Sequence, residues 1–305
     1  MFSSSFEVKP KYLDRVEHLA MMCSTDIEDD VCELLNNKGW SPEAYHKFSS
    51  QVYHIISKYI KTYEEAKLCE ADLKHMLRQK EDNEQGFLKI ISQKRFNFFD
   101  IVLKDKHVKF LNNISLLKEI YKLRSDGIGL GEVFLTFFSE CISPSRGDIK
   151  VGDYIIELKG ERGMLGFEGY WNTYLAELRQ KYNVNSNTKA LNEFYKESFA
   201  LDMLYKLRTE QGDSKFETQL ISDISYINKT LRNVNIPKLL LAVQIYTYHI
   251  NNKFNMIIFI NSDKALCVNY GSLKDIYKQI EPHDFLLTTC VQAPRNKGLS
   301  VILKN

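Results

Sequence analysis

Apolar positions recur every three to four residues through most of the first 125 positions. Val52, Ile55, Ile56, Tyr59, Ile60 and Tyr63 fall on one side of a helix drawn through them. Ser41-Pro42-Glu43 supplies its start, with Ser at the N-cap and Pro at the first helical position. The pattern predicts helices from about Lys11 to Arg124, with a break at Asp82-Asn83-Glu84-Gln85-Gly86. Glu64 to Glu84 carries dense alternating charge, which marks a solvated helix face or a coiled-coil arm. Asp26-Ile27-Glu28-Asp29-Asp30, followed by Glu33, reads as an acidic helix start.

The period changes near Ser125-Asp126-Gly127. Gly147 to Gly160 predicts a hairpin, and a long helical block follows it, interrupted by the polar run Asn183 to Asn187. Pro237 precedes an amphipathic helix, Lys238 to Ile250. Asn255-Met256-Ile257-Ile258-Phe259-Ile260-Asn261 is apolar on both faces, as a central strand is. Phe285 to Thr289 and Leu299 to Leu303 predict further strands, and no repeat of fixed period occurs. The order predicts an α/β fold: an all-helical domain over residues 1–125, then a mixed sheet flanked by helices over 126–305. At about 150 residues per domain, two domains fit the length.

Charge alters this picture only when resolved along the chain. Lys and Arg number 41 against 39 Asp and Glu, a formal net charge of +2, which excludes a polycationic nucleic-acid coat and an acidic solvating tail. A hydrophobic fraction of 44% with 26% charged residues is that of a globular chain rather than a disordered one. No run approaches the ~18 apolar residues of a membrane helix, and no basic start with an apolar run marks a secretory leader. Cys23, Cys32, Cys69, Cys141, Cys267 and Cys290 form no C-x-x-C pair, so reduced thiols in a cytoplasmic protein are expected. Within Gly86 to Arg124, nine basic residues stand against three acidic ones, with Phe96, Phe98, Phe99 and Phe110 among them. Such a segment either tracks a phosphate backbone, with Lys94 and Arg95 as contacts, or is a basic helix with its phenylalanines in the core.

The candidate chemistry lies in Gly147-Asp148-Ile149-Lys150-Val151-Gly152-Asp153-Tyr154-Ile155-Ile156-Glu157-Leu158-Lys159-Gly160. Gly152-Asp153 as a two-residue loop suits a type II′ turn. Val151 then faces Tyr154, Lys150 faces Ile155, Ile149 faces Ile156 and Asp148 faces Glu157. Opposed Cβ atoms lie ~4.5–5.5 Å apart, so the two carboxylates repel unless a divalent cation joins them or one keeps its proton. Lys159 projects from the same face as Glu157, and Ile156 and Leu158 point to the core. Hard oxygen donors suit Mg²⁺ or Mn²⁺, and the Leu158 carbonyl could add a ligand. Such an ion acidifies water and neutralises a phosphodiester, and an adjacent ammonium stabilises developing charge. An exposed hairpin carrying a Glu–Lys ion pair is the alternative. Upstream, Gly129-Leu130-Gly131-Glu132 opens an apolar helix from which Glu132 could reach the same metal face, or simply favour the helix dipole. Arg162 is a candidate phosphate contact, and Gln244 on the amphipathic helix could face the site. Gly127-Ile128-Gly129-Leu130-Gly131 lacks the spacing of a dinucleotide loop.

Together, Gly-x-Gly-Glu at 129–132, Gly-Asp-Ile-x-Val at 147–151 and Ile-Glu-Leu-Lys-Gly at 156–160 resemble the PD-(D/E)XK superfamily of restriction-endonuclease-like nucleases, which includes phage- and transposon-encoded members. The resemblance implies an αββαβ core that cleaves DNA with Mg²⁺ or Mn²⁺. It implies Asp148 and Glu157 as metal ligands, Lys159 as the catalytic lysine and Glu132 as the helix glutamate. It covers about Gly127 to Gly163, extends weakly to Lys238–Asn261 and leaves out the first 125 residues. Gly147 stands where the family often has Pro, and Asp153 competes with Asp148 on spacing, although the hairpin pairing favours Asp148. The expected function is a metal-dependent DNA endonuclease whose helical domain binds DNA or a protein partner. A catalytically silent nuclease fold that binds nucleic acid or protein is the second reading. By family analogy, double-strand cutting calls for a homodimer.

Overall fold

Helix starts written into the sequence order the first part of the chain. In a computed structural model, residues 26–36, 39–79, 82–125, 127–139, 141, 147–161, 163–166, 222, 234–292 and 296–304 are described. The chain divides into two compact units, Met1–Ile90 with Phe99–Ser143, and Ile91–Phe98 with Pro144–Asn305.

The first unit is helical among its described residues. It holds α1 (Asp26–Leu35), α2 (Pro42–Tyr59), α3 (Tyr63–Arg78), α5 (Asp100–Leu103), α6 (Ile114–Tyr121) and α7 (Glu132–Phe138), while α4 (Asp82–Ile91) runs to its boundary. Ser41 caps α2 by accepting the Ala44 N–H, with Pro42 in the first turn, as the sequence predicts. Thr62 and Glu65 form a reciprocal capping box on α3. The apolar stripe Val52, Ile55, Ile56 and Ile60 is buried, and α1 packs against α2, α3 and α7. Asp72 on α3, 2% exposed, accepts the backbone N–H groups of Lys109, Phe110 and Leu111 at 2.7–3.1 Å and so pins the loop that leads into α6.

Two stretches depart from the helical expectation. The anticipated break at Asp82–Gly86 lies inside α4. Arg95–Asn97 is a strand, β1, although its surroundings read as helix. Phe98 and Phe99 are buried core, as the second of the two readings of this basic segment has it, although they lie between β1 and α5 rather than within a helix.

The second unit carries two sheets. β2 (Ile149–Val151), β3 (Tyr154–Lys159), β5 (Met256–Asn261) and β6 (Lys264–Asn269) join β1 in the order β1-β6-β5-β3-β2. Every pairing is antiparallel except that of β3 with β5. β4 (Met164–Gly166), β7 (Phe285–Gln292) and β8 (Asn296–Leu303) form an antiparallel sheet ordered β4-β8-β7. The helices are α8 (Ile236–Asn252) and α9 (Leu273–Ile280). Ile257, Phe259, Leu266 and Val268 on one sheet face join Leu239–Val243, Ile276 and Tyr277 from these helices and Leu299 and Val301 of β8 in one core. The protein is thus mixed α/β, with a mixed five-stranded sheet and several helices. No helix among the described residues is long and apolar enough to cross a membrane.

Gly86 sits mid-helix in α4 with open space where a Cβ would lie. Gly86→Ala is therefore expected to stabilise the protein by about 0.5–1 kcal/mol, read as a higher denaturant midpoint. Asp72→Ala leaves three backbone donors without their acceptor and is expected to cost about 2–4 kcal/mol in the same measurement.

Candidate active site

The β2–β3 hairpin adopts the register its sequence predicts: Val151↔Tyr154, Lys150↔Ile155 and Ile149↔Ile156. Gly152 turns with φ +54°, while Asp153 does not take a positive φ, in keeping with a type II′ turn. Asp153 is exposed in this turn. Gly147 has φ +76°, and a Cβ there would come within 2.6 Å of the Ile155 side chain. Proline, locked near φ −65°, cannot take this conformation.

Past Ile149 the ladder bends. The Asp148 N–H meets the Ile156 carbonyl at 3.2 Å, and its Oδ2 accepts the Leu158 N–H at 2.6 Å. Backbone groups two residues apart on a strand point the same way, so the Leu158 carbonyl turns toward Asp148 as well. Glu157, 3% exposed, is covered from α8. Its Oε1 accepts the Lys159 ammonium at 2.5 Å and the Tyr248 hydroxyl at 3.0 Å. Lys159, with an 11% exposed side chain, also donates to the Tyr248 oxygen at 3.3 Å, and its Nζ stands 5.0 Å from the Tyr248 ring centre. The cluster is therefore buried, not the exposed ion pair of the alternative reading. Asn235 caps α8 through the Lys238 N–H, and Asn255 locks the start of β5 to β3 through the Ile155 N–H and C=O at 2.6 and 2.7 Å.

Burial, and then the charge of Glu157, push the Asp148 carboxyl up to about 6 against the pull of Lys159 and the Leu158 N–H. Burial alone would lower Lys159, but Glu157, Tyr248 and Asp148 outweigh it and hold it firmly protonated. Burial pushes the Tyr248 phenol up to about 12, so it acts as a hydrogen-bond donor.

The Asp148 and Glu157 carboxylates and the Leu158 carbonyl are hard oxygen donors of the kind that could hold Mg²⁺, which is commonly bound by one or two carboxylates and completes its shell with water. Asp148 Oδ1 and Glu157 Oε2 accept no hydrogen bond among the described residues, which leaves one oxygen of each for an ion. No cluster of three or more His, Cys, Asp or Glu at metal-holding distance occurs among the described residues.

The other predicted residues lie as follows. Glu132 heads α7 in the first unit, 4% exposed, and accepts the Gly129 N–H. Gln244 is 2% exposed on α8, one helical turn before Tyr248 and on the same side. Lys94 and Arg95 are exposed at β1, the sheet edge opposite the hairpin. Arg162 lies outside the described residues. Sequence reasoning missed Tyr248 and Asn255. The four-residue spacing of Gln244 and Tyr248 was the available signal for Tyr248, since it stacks two polar groups on one helix face.

Raising Asp148 to about 6 makes the folded protein hold a proton that the unfolded chain, with a carboxyl near about 4, releases. This contribution to stability is full below about pH 4 and is lost as pH rises through about 6. Asp148→Asn keeps an acceptor for Leu158 and removes the repulsion. In EDTA its Tm is expected to exceed that of wild type at pH 7.5 and to fall less between pH 5 and 7.5. Mg²⁺ is expected to raise the wild-type Tm at pH 7.5 and to leave that of Asp148→Asn unmoved.

No protein-family model, curated protein or solved structure matches this chain.

Proposed function

We propose that the second unit is a Mg²⁺- or Mn²⁺-dependent DNA endonuclease with a restriction-endonuclease-like core. The observation that carries this reading is the buried Lys159 ammonium bonded to Glu157 beside the Asp148 carboxyl, which burial and Glu157 raise to about 6. Further support comes from β2, β3 and, after β4, α8 and β5, a ββ–α–β succession within this unit in which β3 runs parallel to β5.

In this reading Asp148, Glu157 and the Leu158 carbonyl hold the ion. When bound, the ion supplies an acidified water and neutralises the phosphodiester. Lys159 stays an ammonium and so offers positive charge to the oxyanion that develops as the phosphodiester opens, rather than acting as a base. Tyr248 donates to Glu157 and lies beside the ammonium, holding both in place. The cut is one phosphodiester per centre, and a pair of chains in the cytoplasm would cut both strands.

The test is incubation of plasmid and linear duplex DNA with Mg²⁺ or Mn²⁺. Cleavage by wild type is expected, with none in EDTA. Glu157→Ala and Lys159→Ala are expected to lose at least about 100-fold in rate. Equal, negligible activity of wild type and both variants would sink the proposal.

A further inference from the structure

Arg95 and Lys159 share one transverse row of the five-stranded sheet. The register runs Arg95↔Leu266, Leu266↔Phe259 and Phe259↔Lys159. Paired residues project to the same face, so both cationic side chains leave the face that Phe259 and Leu266 fill in the core. At about 4.8 Å per strand, three spacings put their backbones about 14 Å apart.

A chain of contacts gathers further cations at the Arg95 end. The Arg95 Nη2 donates to the Lys304 carbonyl at 3.5 Å, and the Lys304 N–H donates to the Asp284 carbonyl at 2.8 Å. The Asp284 carboxylate stands 3.9 Å from the Lys238 Nζ. Lys94, next to Arg95, is held at φ +63°, a costly conformation for a residue with a side chain, by the bonds of its N–H to Ile91 and its carbonyl to Cys267. His283, next to Asp284, has a buried Nδ1 with no hydrogen-bond partner among the described residues. Burial, and then the charges of Arg95 and Lys238, push its imidazole below the usual range, Lys94 adds to this, and Asp284 opposes it. The local potential is therefore positive in spite of Asp284, whose side chain is 82% exposed.

We infer that Arg95, Lys238 and His283 form a clamp for one backbone phosphate of duplex DNA, about four base pairs from the bond cut at Asp148 and Glu157. The distance follows from about 14 Å divided by the 3.4 Å rise per base pair. A guanidinium presents five donors in a planar fork suited to phosphate, and Arg95 spends one of them on Lys304. The clamp's position relative to the cut rests on the nuclease reading. Its binding of DNA does not.

The test is fluorescence anisotropy of a labelled 20-base-pair duplex in EDTA over a range of salt. Arg95→Gln/Lys238→Gln is expected to bind at least about 10-fold more weakly, with a salt slope shallower by about 1, the loss of one phosphate contact. Lys278→Gln, exposed on α9, is expected to bind as wild type. The His283 imidazole, followed by proton NMR, is expected to titrate at higher pH with duplex bound and not in Arg95→Gln. Wild-type affinity and slope in the double variant overturn the clamp. A His283 response to inorganic phosphate with none to duplex overturns it too. Weakened binding by the double variant without cleavage by any form keeps the clamp and removes the nuclease. Cleavage that Lys159→Ala abolishes, with unchanged binding by the double variant, does the reverse.

Discussion

The buried Glu157 carboxylate sets the terms for everything around it. A charge removed from water must be repaid by partners at hydrogen-bond distance, and here the Lys159 ammonium and the Tyr248 hydroxyl share one of its oxygens. That requirement dictates a cation two residues along the same strand and a helix that brings a phenol over the sheet. It also leaves Asp148 as the unbalanced partner, two carboxylates against one ammonium. Burial and that excess of negative charge push the Asp148 carboxyl up to about 6.

Local backbone requirements explain why the candidate site was legible. A two-residue loop with Gly first admits one register, and that register assigns each side chain of β2 and β3 to a face. Ile156 and Leu158 could therefore be read as core, and Glu157 and Lys159 as companions, from spacing alone. The end of the hairpin was not legible. Asp148 meets the Leu158 backbone instead of simply facing Glu157, because the chain turns at Gly147 with φ +76°, where any side chain would collide with Ile155.

Non-local contacts decided the elements that were missed. Arg95–Asn97 forms a strand because β6 offers it a free edge, an influence that lies about 170 residues away and leaves no trace in the local period. Gly86 was read as a break, yet tertiary packing carries α4 straight through it, with Phe87 and Ile91 buried. Tyr248 reads as one more aromatic on an apolar helix until the crossover from β3 to β5 sets it above Glu157.

The short visit of Ile91–Phe98 to the second unit has a consequence for dissecting the protein. The chain leaves the helical unit, lays down one edge strand and goes back before the remaining strands are made. Neither unit can be excised with a single cut. A fragment beginning at Pro144 would lack β1 and bare the apolar edge of β6, whose unpaired N–H and C=O groups would recruit a strand from another molecule. Its insolubility would then report a missing strand, not an unstable fold, and supplying residues 91–98 as a linked segment would restore the edge.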